Sequence, residues 1–552
     1  MFRKLFQSVG AVGLLALGTG MLVSCDSVPE PSPEPTPVST RIRIAAGEIE
    51  GERLDGEPAV HVYRGIPFAA PPVGELRWRP PQSVEPWDGV RPATDFGPMC
   101  MQPTFAGFYG IPADIPRGED CLTLNLWTAA ATAEERRPVM VWIHGGGFTV
   151  GSSRLELYDG ATLAREGAVV VSVNYRLNAF GFLAHPALSA ESEHDSSSHY
   201  GLLDQVAALE WVRDNVAAFG GDPDRVTIFG ESAGSMSVSL LTVTPLARGL
   251  FHRAIGESGA AFAPVERLRG DGVRGLSAEA VGEELAKVLG VADAEDVAAA
   301  MRARSAQEIL DTFQSNPMFG TLWGFTPVDG WVLPAQPREI LERGEQVDVP
   351  VLIGTNDDEG SVLVDYFPAD WRSSLEGYRK ALKTNYGDSA DALGALYPAA
   401  ADAEVRGAMA EILADDIFLF PTWAWAHGMA SVSSPAWVYR FTKVPAIEEA
   451  ESYGAYHGAE LPYVFGTVWP GAEWDEDDEQ LSKTIRGAWL RFAATGDPNG
   501  GELPQWPAFT ADNEAYLEIG DNPEVKGHLR MEHVQAFDEH YRRMLEPKAD
   551  TP

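Results

Sequence analysis

The feature that most constrains this chain is an abrupt change of periodicity over residues 226–241. There an apolar run, Val226-Thr227-Ile228-Phe229, meets Gly230-Glu231-Ser232-Ala233-Gly234 and then a helix-like stretch, Met236-Ser237-Val238-Ser239-Leu240-Leu241. A strand that passes into a helix through so few residues must bring the two backbones together, and Gly230 and Gly234 carry no side chain to obstruct that approach. Ser232 then stands at the apex, above the strand end, with the first N–H groups of the helix beside it. G-x-S-x-G alone is a weak signal. Framed by a strand and a helix, it specifies a nucleophile elbow. The similar Gly256-Glu257-Ser258-Gly259-Ala260 lacks the closing glycine, which makes Ser258 a poor second nucleophile.

Other short runs share the character of 226–229: Val139-Met140-Val141-Trp142-Ile143, Val169-Val170-Val171-Ser172-Val173 and Val351-Leu352-Ile353. Apolar, largely β-branched and without polar alternation, they suit central strands buried on both faces. Residues 202–217 place Leu202, Val206, Leu209, Val212 and Val216 three or four apart, which predicts an amphipathic helix. Strand, helix, strand in that order builds a parallel sheet. The fold class is therefore α/β, with a large central, mostly parallel sheet flanked by helices. With no linker composition after residue 40, residues 41–546 read as one domain, and the extra length goes into long loop and helical insertions.

The elbow needs partners. His144-Gly145-Gly146-Gly147-Phe148 follows the first strand, and consecutive glycines free backbone N–H groups to turn into a cavity. Together with the N–H of Ala233 they form a candidate oxyanion hole. The spacing to Ser232, about 85 residues, is what the elbow's fold requires. In that fold an acid and then a histidine follow the serine. Of eleven histidines, His61, His144, His185, His194 and His199 precede Ser232, and His252 lies too close to it. His427 sits in a Trp/Ala run of packed-helix character, while His528, His533 and His540 fall in a polar C-terminal segment without a third metal ligand in evidence. His457 remains, between glycines and after a strand-like Trp437-Val438-Tyr439-Arg440-Phe441. The acid belongs just past strand 351–353, where composition leaves Asp357, Asp358 and Glu359 all open.

The ends and the charge carry separate information. Residues 1–24 have a basic start, an apolar middle and Leu22-Val23-Ser24 before Cys25, the layout of a lipoprotein signal peptide with Cys25 as the lipidated residue. Residues 25–40 continue as a tether, with five prolines in 26–37. An exported, envelope-anchored protein is expected, touching the membrane through that anchor only. Cys100 and Cys121 are left as an even pair, and oxidising surroundings favour a disulfide. The 80 Asp and Glu residues against 42 Lys and Arg give a net charge of −38, which repels phosphate backbones, so no nucleic-acid partner is expected. The acidic run Glu473 to Glu479 reads as a solvated surface loop.

These blocks together resemble the type-B carboxylesterase family, which includes cholinesterases and para-nitrobenzyl esterases. The resemblance runs through Tyr63-Arg64-Gly65-Ile66-Pro67-Phe68-Ala69, Pro71-Pro72-Val73-Gly74, Glu119-Asp120-Cys121-Leu122, Asn125-Leu126-Trp127, Asn174-Tyr175-Arg176-Leu177, the elbow, and Ala494-Thr495-Gly496-Asp497-Pro498-Asn499. It implies the α/β-hydrolase fold, Glu359 as the triad acid beside Ser232 and His457, and Gly146, Gly147 and Ala233 as oxyanion donors. It further implies a Cys100–Cys121 disulfide and a hydrogen bond from Ser258 to the acid. Glu231 and Ser258 are both read as supporting residues around the triad. Residues 101–120 contain Phe105, Phe108 and Tyr109 but no tryptophan, so the choline-ester specificity of some members is not implied.

The chemistry implied is hydrolysis of a small-molecule carboxylic ester through an acyl-enzyme on Ser232, with no metal or organic cofactor. Two other readings use the same residues: a non-catalytic binding homologue, and a hydrolase of amides, carbamates or lactones.

Overall fold

The apolar runs become neighbouring strands. A computed structural model describes residues 35–104, 114–315, 326–448, 450–469 and 471–546. Residues 1–34, which include Cys25 and the stretch expected to be a signal peptide, and the aromatic residues Phe105, Phe108 and Tyr109 lie outside the described residues. In chain order the main sheet contains β1 (Glu52–Leu54), β2 (Val60–Pro67), β3 (Thr123–Thr128), β4 (Arg137–Ile143), β5 (Val169–Val173), β6 (Gly221–Glu231), β7 (Arg253–Glu257), β8 (Val351–Asn356), β9 (Ala436–Phe441), β10 (Ala515–Ile519) and β11 (Glu524–Gly527). Across the sheet the order is β11-β10-β9-β8-β7-β6-β4-β5-β3-β2-β1. The stretch from β10 to β5 is parallel throughout. Antiparallel strands extend both edges: β3, β2 and β1 beyond β5, and β11 beyond β10. This is the α/β-hydrolase architecture expected from the sequence.

The absence of polar alternation in the central strands has a direct cause. Successive side chains point to opposite faces of a strand, and both faces are covered. Val139, Val141 and Ile143 of β4 enter one core with Val226, Ile228, Val351 and Ile353. Met140 and Trp142 enter a second core on the other face, with Val170, Phe229 and Leu352. The first core is closed by helices α1 (Tyr200–Asn215) and α2 (Ala233–Val243). The second is closed by α3 (Glu476–Thr495), through Leu481, Ile485, Trp489 and Phe492.

Two expectations are corrected here. Helix α1 begins two residues before the expected start and passes into a 3₁₀ turn at Val216–Phe219. It is not amphipathic: only Glu210, Arg213 and Asp214 are exposed. Polar Asp204 is buried as well because it receives Arg176, whose Nη2 lies 2.6 Å from Asp204 Oδ1 with both side chains almost fully enclosed. The acidic run is not a loop either. Residues 476–479 form the first turn of α3, and Asp475 caps it by accepting the N–H groups of Asp477 and Asp478 at 2.9 and 3.0 Å. Carboxylates gather there because a helix N-terminus carries unpaired N–H groups and a positive dipole end.

Packing also begins earlier than residue 41. The N–H of Val38 donates to Ala131 O at 2.9 Å and Val38 is buried, so the compact unit runs from Thr36 onward. Cys100 and Cys121 are joined, their Cα atoms 5.0 Å apart, as expected. Among the described residues no helix is long and apolar enough to cross a membrane.

Candidate active site

The elbow forms where the sequence predicts it. β6 ends at Glu231, Ser232 adopts φ 57° and ψ −125°, and α2 starts at Ala233. A Cβ on Gly234 would sit 2.0 Å from Ile143 O, and one on Gly230 would sit 2.6 Å from the same oxygen. Both glycines are therefore demanded by the approach of the turn to β4. The left-handed φ of Ser232 is a strained conformation for a side-chain-bearing residue, held by its N–H donating to Glu257 O at 2.9 Å. Ala233 opens α2, so its N–H has no acceptor within the helix.

The glycine loop continues from β4 along the elbow. Gly146 and Gly147 take φ values of 105° and 60°, which glycine alone adopts without strain. Neither N–H donates to a described residue. His144, at the start of the loop, is structural: its buried ring stacks on Tyr175 at 4.5 Å, and burial pushes its pKa down to about 4.

Composition leaves three acids open after β8, and the structure separates them. Asp357 pairs with Arg440. Asp358 accepts the N–H of Ala455 at 2.9 Å. Glu359 alone turns inward, with Oε2 2.7 Å from His457 Nδ1 and Oε1 accepting the N–H of Asn356 at 2.7 Å. Both members of the His457–Glu359 pair are buried. The other imidazole nitrogen, Nε2, lies 3.1 Å from Glu231 Oε1, so the ring spans two carboxylates and its Nε2 edge faces the elbow. Ser258 departs from expectation. It is buried with φ 56°, but among the described residues its Oγ has no hydrogen-bond partner, and it forms no bond to the acid. The Glu359 oxygens are instead taken by Asn356 and His457.

Two further carboxylic acids belong to the site and are not singled out by the sequence reading. Glu257 pairs in register with Glu231 on adjacent parallel strands, and its Oε1 accepts Trp489 Nε1–H at 2.7 Å. Glu460, three residues after His457, is held by the side-chain amide of Asn356. Both are buried. The repeated Gly-Glu-Ser at 230–232 and 256–258 is a usable signal, since parallel pairing sets the two glutamates side by side. Burial, and then repulsion from Glu231, raise the Glu257 pKa to about 8, against hydrogen bonding by Trp489. Burial and the charges of Glu231, Glu257 and Glu359 hold Glu460 well above the carboxylate range. Desolvation and like-charge proximity act in the same direction here, since several buried carboxyl groups around one imidazole cannot all ionise.

Among the described residues no group of three or more His, Cys, Asp or Glu side chains is arranged to hold a metal. His540 donates to or accepts from Ser389 Oγ at 2.9 Å, and His533 packs on Tyr397. His427 lies in a packed helix and meets Glu514 at 2.8 Å.

The protonated Glu257 has a measurable consequence. Its proton stays bound in the folded chain but is lost from the unfolded chain between the ordinary value of 4.5 and about 8. Folding stability therefore falls as pH climbs through that window, by up to about 1.4 kcal/mol per pH unit from this group. Glu257→Gln is expected to flatten that decline in urea titrations run from pH 5 to 8. An unchanged slope would mean that Glu257 is ionised when folded.

Comparison with known proteins agrees with this geometry. The model of the carboxylesterase family matches residues 38–537. The chain is 39% identical over 485 residues to fumonisin B1 esterase of Sphingopyxis macrogoltabida, covering 85% of this chain and 84% of that protein. It is 38% identical over 480 residues to para-nitrobenzyl esterase of Bacillus subtilis (strain 168), covering 85% and 93%. With human cocaine esterase the identity is 36% over 515 residues, covering 86% of each. A match over nearly the whole compact unit, with the elbow, the glycine loop and the buried His–Glu pair in place, leads to one conclusion: the chain belongs to the carboxylesterase family.

Proposed function

We propose that this chain hydrolyses carboxylic esters of small molecules through an acyl-enzyme on Ser232, with His457 as the proton carrier and Glu359 as its orienting acid. The observation that carries the reading is the buried 2.7 Å contact between His457 Nδ1 and Glu359 Oε2, with Nε2 turned toward the strained elbow. Nε2 takes the Ser232 proton as Oγ attacks the ester carbonyl. The N–H groups of Gly146, Gly147 and Ala233 receive the developing oxyanion. The same nitrogen then protonates the departing alcohol oxygen, which leaves the acyl group on Ser232. Water repeats the sequence, giving its proton to Nε2 and its oxygen to the acyl carbon, and Ser232 recovers its proton. Glu359 fixes the imidazole tautomer and stabilises the imidazolium through both halves.

Ester rather than amide cleavage is favoured by the relatives, each of which is named as an esterase. A purely binding role gives no reason to keep Ser232 at a strained φ beside a buried imidazole, at a cost of about 1–3 kcal/mol for the strain alone. Localisation forms part of the same reading: Leu22-Val23-Ser24-Cys25 followed by the proline-rich segment supports export and a lipid anchor at Cys25.

With p-nitrophenyl acetate and butyrate, Ser232→Ala is expected to lower kcat by about a thousandfold or more, and labelling by a fluorophosphonate probe disappears with it. Retention of wild-type turnover would place the nucleophile elsewhere. Burial lowers the His457 pKa, but the charges of Glu231 and Glu359 outweigh it and the net shift is upward. Catalysis needs the neutral ring, so kcat/KM falls as pH drops through that raised value. Glu231→Gln removes one anion, lowers the pKa and moves the acid limb of the profile to lower pH. A limb that stays in place or moves up would contradict Glu231 as the neighbour of Nε2. Cys25→Ser is expected to shift the exported protein from the membrane pellet to the soluble fraction, and equal pelleting of both forms would reject the anchor.

A further inference from the structure

The chain from Val405 to Gly428 is helical throughout but not uniformly so. Helix Val405–Ala414 passes through a π-helical turn, Asp415–Leu419, into helix Phe420–Gly428. Pro421 supplies a cause. It has no N–H to donate to the carbonyl four residues back, that of Ile417, and its ring crowds that carbonyl in regular α geometry. Widening the preceding turn relieves the conflict and inserts one residue, which rotates the downstream helix by about 100° relative to an uninterrupted one.

Every residue of the widened turn is buried, including two aspartates. Asp415 Oδ2 accepts Tyr397 Oη–H at 2.7 Å and Arg530 Nε–H at 2.9 Å. Asp416 accepts Tyr386 Oη–H at 2.9 Å and Tyr541 Oη–H. The donors come from helix Leu375–Tyr386, from Tyr397 beyond the next helix, and from the C-terminal helix Met531–Leu545 with its N-cap Arg530. Burying carboxyl groups opposes folding unless their hydrogen bonds accomplish something apolar packing would not. Here they fix the register of the turn.

The residue so aimed is Phe418. Its ring is 2% exposed and lies across the face of the His457 imidazole, centroids 4.5 Å apart and planes tilted by 38°. Glu359 and Glu231 meet the imidazole at its two nitrogens, and neither stops it tipping about the line between them. Nε2 must also leave Glu231 to serve Ser232 and the departing oxygen, so the ring has to travel without losing its orientation. A flat apolar wall against one face restricts that travel to the plane of the ring and excludes water from that side.

We propose that Phe418 is a positioning residue for His457, aimed by the π-helical turn that the tyrosine and arginine hydrogen bonds to Asp415 and Asp416 hold in register. The proposal deepens the ester-hydrolase reading and rests on it. The test compares wild type, Phe418→Ala, Phe418→Leu, Tyr541→Phe and the double variant Tyr541→Phe/Phe418→Ala, measuring kcat and KM for p-nitrophenyl butyrate and the melting temperature of each. Misplacing a reacting group by about 1 Å costs roughly a hundredfold. Phe418→Ala is accordingly expected to lose between about tenfold and a hundredfold in kcat with KM within about twofold. Phe418→Leu, which restores bulk without flatness, should recover part of the loss. Tyr541→Phe touches nothing at the site and is expected to lose about threefold in kcat, with no additional loss in the double variant because both changes act through one side chain. Should Phe418→Ala fail to fold, the leucine and Tyr541 variants carry the test. Wild-type kcat in the Phe418 variants, or losses that multiply in the double variant, would overturn the proposal. An inactive wild type would overturn the ester reading itself.

Discussion

The arrangement of the site depends on one close backbone approach, that of the elbow at Gly230–Gly234 to the carbonyl of Ile143 at the end of β4. No other residue type fits at those two glycines, and with them in place α2 leaves β6 directly over the neighbouring strand. Ser232 is forced to a left-handed φ, and the glycine loop that continues from β4 is carried alongside it. A Cβ on Gly145 would lie 2.7 Å from Glu231 Oε2 and 3.0 Å from Ser232 Cβ. A single contact thus sets Ser232, the candidate oxyanion donors and Glu231 against one another. Its strain is sustained by a sheet whose central strands are buried on both faces, in two separate cores.

Electrostatics then sort the carboxyl groups that this geometry gathers. Glu231, Glu257, Glu359 and Glu460 are all buried near a single imidazole. The two that touch His457 hold it toward its charged form, while Glu257 and Glu460, one layer further out, are driven toward neutrality by desolvation and by their neighbours. This division lets the imidazolium form in a buried site without leaving uncompensated negative charge around it. Trp489 on α3 and Asn356 at the end of β8 both donate into the cluster, which ties the helical layer of the second core to the strand ends.

Much of this is legible in the amino-acid sequence. The elbow, the glycine loop and the central strands each depend on a few consecutive residues whose periodicity or lack of a side chain dictates the local backbone. His457 emerges by elimination among eleven histidines. Glu359 does not: three acids lie after β8, and only the family resemblance chooses among them until Asp357 is found with Arg440 and Asp358 with the Ala455 N–H. Helix α1 reads wrongly as amphipathic because the burial of Asp204 depends on Arg176, a residue outside the helix. The acidic run reads wrongly as a loop because helix capping and a solvated charge run have the same composition.

The sequence alone determined the central strand runs, the position of the elbow and the glycine loop, since these depend on local steric rules and hydrophobic period, and its ordered motifs carried the resemblance to the family. Only the tertiary structure decided how Asp357 and Asp358 are held away from His457, that Ser258 Oγ makes no bond to Glu359, that Glu257 and Glu460 join the cluster, and that Phe418 faces the imidazole. Those outcomes depend on which distant strand ends come into register and on how much water remains between them. Hydrogen bonding and the energy of a buried charge vary steeply with angstrom-scale separation and local dielectric, and neither is encoded in the spacing of residues along the chain.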